Sequence, residues 1–230
     1  MKVSVALASY NGEKYIKEQV CSVLECLGPM DELVISDDGS KDETRSIIAG
    51  INDPRIILID GPGKGIKANF DNAIRNTTGD IIFLCDQDDI WMPEKTEKVL
   101  KAFKENNCSV VVHDCEVVDD EDNVIMPSFY AFRGSGSGAF KNTVKNTYIG
   151  CCMAFKSGLK ERILPIPESI EMHDQWIGVW GDKTSGSVFI PDKLIKYRRH
   201  GDNASSFKHY GIWKMLRNRI CFIKEIRERS

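Results

Sequence analysis

After the apolar run Ile81-Ile-Phe-Leu-Cys85, the chain places three carboxylates within four positions, at Asp86, Asp88 and Asp89. Like charges packed this closely repel, and a hard divalent cation that also grips a phosphorylated substrate relieves the repulsion. An isolated Asp-x-Asp is more often a helix cap or a solvated acidic turn, here ahead of Pro93. Two further polar turns, Ser9-Tyr-Asn-Gly-Glu13 and Asp37-Asp-Gly-Ser40, also follow apolar runs. Together they suit a nucleotide diphosphate, with a ring to stack the base, a carboxylate to accept its N–H, and a cation site for the pyrophosphate. Asp38 alone is also a good turn and cap residue.

His173-Asp-Gln-Trp176 sets a carboxylate at the predicted start of a helix. As an N-cap, Asp174 would contribute about 1 kcal/mol; facing a substrate, it would serve as a base. His113-Asp114, at a strand end, would either line the site or form a structural pair. Two common phosphate motifs are absent. No G-x-G-x-x-G follows the first apolar run, and Gly61-Pro-Gly-Lys-Gly65 lacks P-loop spacing and its Ser/Thr.

Periodicity predicts the elements that position these turns. Strands are expected at Val3–Ala8, Leu33–Ser36, Ile56–Ile59 and Ile81–Cys85, and helices at Lys14–Leu27, Asp42–Ala49, Ala68–Asn76 and after Pro93. Such alternation over the first 105 residues argues for an α/β fold, with a mostly parallel, doubly wound central sheet flanked by helices. A parallel sheet gathers its βα turns on one edge. Later strands are expected at Val110–Val112, Tyr148–Phe155, Ser187–Ile190 and Leu194–Tyr197, with a helix over Met172–Trp180. Gly134–Gly138 reads as a flexible lid or acceptor loop.

The chain's 230 residues suffice for one large domain with a substantial core. Neither a membrane-spanning apolar run nor a signal-peptide pattern is present, and the eight cysteines show no CxxC or zinc spacing, so a cytosolic protein is expected. The net charge of −3 conceals a basic tail: residues 207–230 hold seven Lys/Arg against two Glu, leaving −8 on the rest. An acidic body argues against nucleic acid as a partner. The tail spaces Ile212, Trp213, Leu216, Ile220 and Ile223 helically among basic residues, which suits packing on its own domain or peripheral contact with an anionic membrane.

These motifs carry a resemblance. Val5-Ala-Leu-Ala-Ser-Tyr-Asn-Gly-Glu-Lys-Tyr15, Ser36-Asp-Asp-Gly-Ser40, Asn69-Phe-Asp-Asn-Ala73, Gly79-Asp80 through Asp86-Gln-Asp-Asp-Ile-Trp91, His173-Asp-Gln-Trp176 and Tyr197-Arg-Arg-His-Gly-Asp-Asn203 follow in family order. The chain resembles a family 2 glycosyltransferase of the GT-A fold, in particular the bacterial rhamnosyltransferase-like branch. The resemblance implies a GT-A domain over 1–206, with a nucleotide-sugar half at 1–105 and an acceptor and catalytic-base half at 106–206, before the basic helix 207–230. It implies donor contacts from Ala8, Tyr10, Glu13, Asp38, Lys67, Asn69, Asp86 and Gln87, with Asp38 accepting from a pyrimidine N3–H. Mg²⁺ or Mn²⁺ would sit on Asp88, Asp86 and His200, Arg199 and His200 would face the diphosphate, and His173 and Trp176 would meet the sugar or acceptor. Asp174 would be the catalytic base. The implied reaction is inverting, metal-dependent transfer of rhamnose or another hexose. The donor would be a dTDP- or UDP-sugar, and the acceptor a hydroxyl of a growing surface glycan such as a lipid-linked O-antigen, capsule or exopolysaccharide intermediate. The alternatives are a non-catalytic nucleotide-sugar-binding module and a sugar nucleotidyltransferase. The latter wants a Gly-rich, Arg-containing loop where Ser9–Glu13 stands.

Overall fold

The structure, a computed structural model, describes residues 1–201 and 211–229. Asp202 and Asn203 of the Tyr-Arg-Arg-His motif, and the expected boundary at 206/207, lie outside the described residues.

Strands β1 (Val3–Ser9), β2 (Glu32–Asp37), β3 (Ile56–Asp60) and β4 (Ile81–Cys85) are parallel in the order β3-β2-β1-β4. Every residue of β1 and β4 is buried, which is why both read as continuous apolar runs rather than as alternation. Helices α1 (Ile16–Cys26), α2 (Thr44–Ile51) and α3 (Ile66–Arg75) make the crossovers. The buried stripe of α1, including Ile16, Val20, Val23 and Leu24, has the spacing of a helix with one face on a core. In register, Ser9 lies beside Asp37 and Leu7 beside Cys85, so the turns after β1, β2 and β4 leave the sheet on one edge.

Beyond β4 the sheet is mixed rather than parallel. After β5 (Ile90–Trp91) and α4 (Lys95–Glu105) come β6 (Val110–Val118), β7 (Val124–Met126), α5 (Phe129–Arg133) and α6 (Ala139–Val144). The chain continues through β8 (Met153–Lys156), α7 (Lys160–Ile163), α8 (His173–Thr184), β9 (Ser187–Arg198) and α9 (Ile212–Arg229). The sheet runs on as β4-β8-β6-β9-β5, with β8 antiparallel to both β4 and β6. In a flat sheet β5 would lie about 19 Å from β4. Four turn residues, even fully extended, reach only about 17 Å. The sheet therefore curls, and the far edge returns to the turn at 86–89.

Three expectations need correction. Tyr148–Phe155 is not one strand: Gly150–Cys152 form a 3-10 turn before β8. Ser187–Ile190 and Leu194–Tyr197 are one strand, β9, whose register against β6 shifts between His113 and Asp114, opposite the stretch containing Pro191. A bulge there accommodates a residue without an N–H. Gly134–Gly138 is pinned, with Gly138 N donating to Asp182 Oδ2 at 3.0 Å and Ser135 Oγ to the Thr147 carbonyl at 3.0 Å. All eight cysteines are free thiols. No helix among the described residues is long and apolar enough to cross a membrane.

Candidate active site

The curled sheet brings residues from distant parts of the chain to the turn after β4. Asp89 is buried and accepts the backbone N–H of Arg198 at 3.1 Å, which ties the end of β9 to the acidic turn. Two residues on, the His200 imidazole meets Asp88, Nε2 to Oδ2 at 2.9 Å, and stacks on Tyr15 at 4.7 Å. From the other side, α8 carries Asp174 in its first turn.

Asp174 is not the cap of α8. That position is Met172, which supplies no side-chain bond. The Asp174 carboxylate accepts from Gln175 N at 2.5 Å and Asn146 Nδ2 at 3.1 Å. Burial pushes it up to about 6, although these hydrogen bonds favour the charged form. Asp86 is raised from the usual carboxylate range by burial, then by the charges of Asp88 and Asp174. Asp89 is raised by burial, then by Asp88 and Asp86. The carboxylates thus share one electrostatic site.

A divalent cation fits this site. Ligand atoms of Asp86, Asp89 and Cys151 lie within 4.8 Å of one another, and Asp89 Oδ2 is buried with no hydrogen-bond partner among the described residues. Burial raises the Cys151 thiol well above its usual value, so it stays protonated and is a poor ligand for a hard cation. The donors of this group suited to Mg²⁺ or Mn²⁺ are therefore the carboxylates of Asp86 and Asp89, while the expected ligands Asp88 and His200 bond to each other beside them.

The remaining expected contacts divide. Tyr10 is exposed just past the end of β1, and Ala8 is the buried penultimate residue of that strand. Glu13 lies at the same edge, one oxygen accepting from Glu43 N at 2.9 Å. Asp38 accepts from Gly63 N and Gly65 N, each at 2.7 Å, and so holds the 61–65 loop. Gln87 bridges two turns, its amide bonded to Tyr10 N at 2.8 Å and Tyr10 O at 3.1 Å. Buried Asn69 donates to Ser9 O and Ser36 O, joining the ends of β1 and β2. The Lys67 ammonium holds the carbonyls of Glu168 and Ile170. These side chains shape the site through backbone contacts. Arg199 is half-buried beside Tyr197 Oη at 3.4 Å.

Trp176 is a correction. It is fully buried, donates Nε1–H to Ile163 O at 2.9 Å and packs edge-on to Trp180, so it presents no face to a sugar. His173 is buried and stacked on Phe70 at 4.2 Å, with burial holding the imidazole neutral, down to about 4. His113-Asp114 is a structural pair, Asp114 accepting from Ser128 Oγ, Tyr130 N and Cys115 N.

Sequence reasoning missed three supports. Lys95 is fully buried, donates to Cys151 O at 2.8 Å and lies 3.9 Å over the Trp91 ring, with burial lowering the ammonium from its usual range and nearby acids and thiols opposing that shift. Asn146 orients Asp174. Gly150 allows a close approach: a Cβ there would sit 3.1 Å from His173 Nε2, and the ring would have to shift by a few tenths of an ångström. Only the glycine was a visible signal, and it lay inside an apolar run.

Comparisons with known proteins bear on the family and the fold. Residues 4–164 match the family described as Glycosyl transferase family 2. The chain is 30% identical over 231 residues to TuaG of Bacillus subtilis, a glycosyltransferase named for teichuronic acid biosynthesis, covering 97% of this chain and 88% of that one. It is 28% identical over 212 residues to WfgD of Escherichia coli, named as a UDP-Glc:alpha-D-GlcNAc-diphosphoundecaprenol beta-1,3-glucosyltransferase, covering 90% and 80%. It spans only 40% of the length of the glycosyltransferase alr2836 of Nostoc sp., to which it is 30% identical over 128 residues. The crystal structure of S. aureus TarS 1-349 in complex with UDP-GlcNAc superposes with a TM-score of 0.74 at 19% identity, over 97% of this chain and 66% of that one. That likeness shows the fold, which is GT-A.

Proposed function

The chain belongs to glycosyl transferase family 2, and from that premise we propose that it moves a hexosyl group from a nucleotide diphosphate sugar to a hydroxyl of a lipid-linked surface glycan, inverting the anomeric centre. The observation that carries the reading is the meeting of Asp174 with the Asp86–Asp88–His200 cluster at one sheet edge. The acceptor hydroxyl is a weak nucleophile until its proton is taken, and Asp174, raised to about 6, is ionised yet basic at neutral pH. Asn146 and the Gln175 amide hold one carboxylate oxygen and so orient the group. Asp86 and Asp89, with Asp88 and His200 beside them, would hold Mg²⁺ or Mn²⁺, which when bound would neutralise charge on the departing diphosphate. Tyr10 stacks the base from the rim, and Asp38 meets its N3–H by exchanging a loop amide for it. Arg199 adds positive charge on the diphosphate side.

One relative supports UDP, since WfgD is named for UDP-Glc. Rhamnose from dTDP is the competing donor. WfgD and TuaG, named for a diphosphoundecaprenol-linked substrate and for teichuronic acid, support a surface-glycan acceptor. A thermal-shift panel of UDP, dTDP, GDP and NAD, each with Mn²⁺ and with EDTA, tests the donor half. A ligand at a hundred times its Kd adds about 2.7 kcal/mol. Stabilisation by UDP or dTDP only with metal supports the reading; no stabilisation by any of the four contradicts it.

A further inference from the structure

We propose that α6 and α9 together form a docking face for an anionic bilayer surface, beside the acceptor side of the active site. Four of the apolar residues spaced along the tail face outward. Trp213 is 83% exposed, Ile220 59%, Leu216 45% and Ile223 39%. Their spacing puts them on one side of α9, and the side facing the body is anchored independently of them. Phe222 is buried edge-on against Trp176, Asn218 bonds to Glu171, and Ser169 donates to Glu225 at 2.5 Å. The exposed stripe therefore belongs to a docked helix.

A second element extends the stripe. Arg219 Nε donates to the Val144 carbonyl at 3.0 Å and so fixes α9 against the end of α6. There Phe140 is 85% exposed and Val144 45%. The link continues inward. Gln175 Nε2 donates to Asn142 O at 2.6 Å, and Asn146, just past α6, donates to Asp174. One short helix thus touches both the exposed face and the residues holding the base.

Charge selects the occupant. Lys141 and Lys145 flank Phe140 and Val144, while Lys214, Arg217, Lys224 and Arg227 flank the α9 stripe, and all six are exposed. Of the two acids on α9, Glu225 is held by Ser169 and Glu228 lies 3.7 Å from Lys224. A second copy brought to this face would oppose like charges. An interfacial bed of anionic headgroups complements both the apolar stripe and its basic rim, with Trp213 at the headgroup level. Since α9 is too polar to cross a membrane, it would lie in the interface. The significance of the placement rests on the lipid-linked acceptor proposed above, whose sugar hydroxyl would then be presented on the side where Asn142 and Asn146 hold Gln175 and Asp174.

Vesicle co-sedimentation tests the face without any donor. The protein is expected to partition at least about tenfold more strongly onto phosphatidylcholine vesicles carrying 30% phosphatidylglycerol than onto phosphatidylcholine alone, and less at high salt. Trp213→Ser with Ile220→Ser, and separately Phe140→Ser, are expected to lower that partition several-fold, about tenfold for the pair. Their melting temperature and UDP–Mn²⁺ shift should match wild type. Equal partition of wild type and variants, or none onto anionic vesicles, overturns the proposal. So does a wild-type dimer in sedimentation equilibrium that the same variants dissolve, because the face would then be a self-association surface. Failure of UDP to bind while vesicle binding persists removes the catalytic reading and leaves the docking face.

Discussion

Asp174 is ionised at the expense of its own solvation. Buried, its carboxyl titrates at about 6 rather than near 3.9. A raised acid means that the folded state binds the proton more tightly than the unfolded state does. Its favourable contribution is therefore complete below about pH 4 and is lost as pH rises to about 6. Two units correspond to about 3 kcal/mol, so Asp174→Asn should stabilise the fold by up to that amount at pH 8 and hardly at pH 4. Urea denaturation at both values checks this, and a loss of stability at pH 8 would mark Asp174 as structural. Activity should fall as pH drops through about 6. Asp88→Ala should abolish the Mn²⁺-dependent part of nucleotide stabilisation in a thermal shift; an unchanged metal dependence would remove it as a ligand. The acids were legible because an apolar strand ending in carboxylates marks its own boundary. Trp176 was misread for a reason also present in the sequence: two residues along a helix turn about 200°, so a residue at that offset from Asp174 faces the opposite side.

At the scale of elements, the parallel half was legible because buried strands and amphipathic helices alternate there with ordinary turns between them. The second half was not. Its strands pair out of sequence order, and the Gly150–Cys152 turn has the composition of a strand while acting as the floor beneath Asp86 and Asp89. Gly150→Ala tests that role. The added methyl would press on His173 Nε2 at 3.1 Å and lie 3.6 Å from Asp174 Cβ. We expect kcat to fall at least about tenfold, as small misplacements of catalytic groups do, with nucleotide binding retained. Wild-type kcat would show that the turn can yield. Phe222→Ala tests whether α9 is part of the domain. Removing a buried ring should cost about 3 kcal/mol in chemical denaturation, whereas a cost under about 0.5 kcal/mol would mean that the helix is only a tail.

For the whole molecule, curling is the property on which the site depends. Nothing in local periodicity announces that β9 ends beside the turn after β4, yet that closure sets His200 against Asp88 and completes a site whose parts are more than a hundred residues apart. The tail was legible as amphipathic, but which side it buries was decided by Phe222 and Trp176, not by its apolar stripe. The central claim is that this edge binds a nucleotide sugar and that Asp174 then removes the acceptor proton. The most direct measurement is sugar transfer from UDP- and dTDP-hexoses to a diphosphoundecaprenol-linked GlcNAc acceptor, by wild type and by Asp174→Asn, alongside the nucleotide affinity of each. The account predicts that wild type turns over at least one donor, while the variant binds the nucleotide with unchanged Kd and transfers at least about a thousandfold more slowly. Transfer by the variant at the wild-type rate would contradict it.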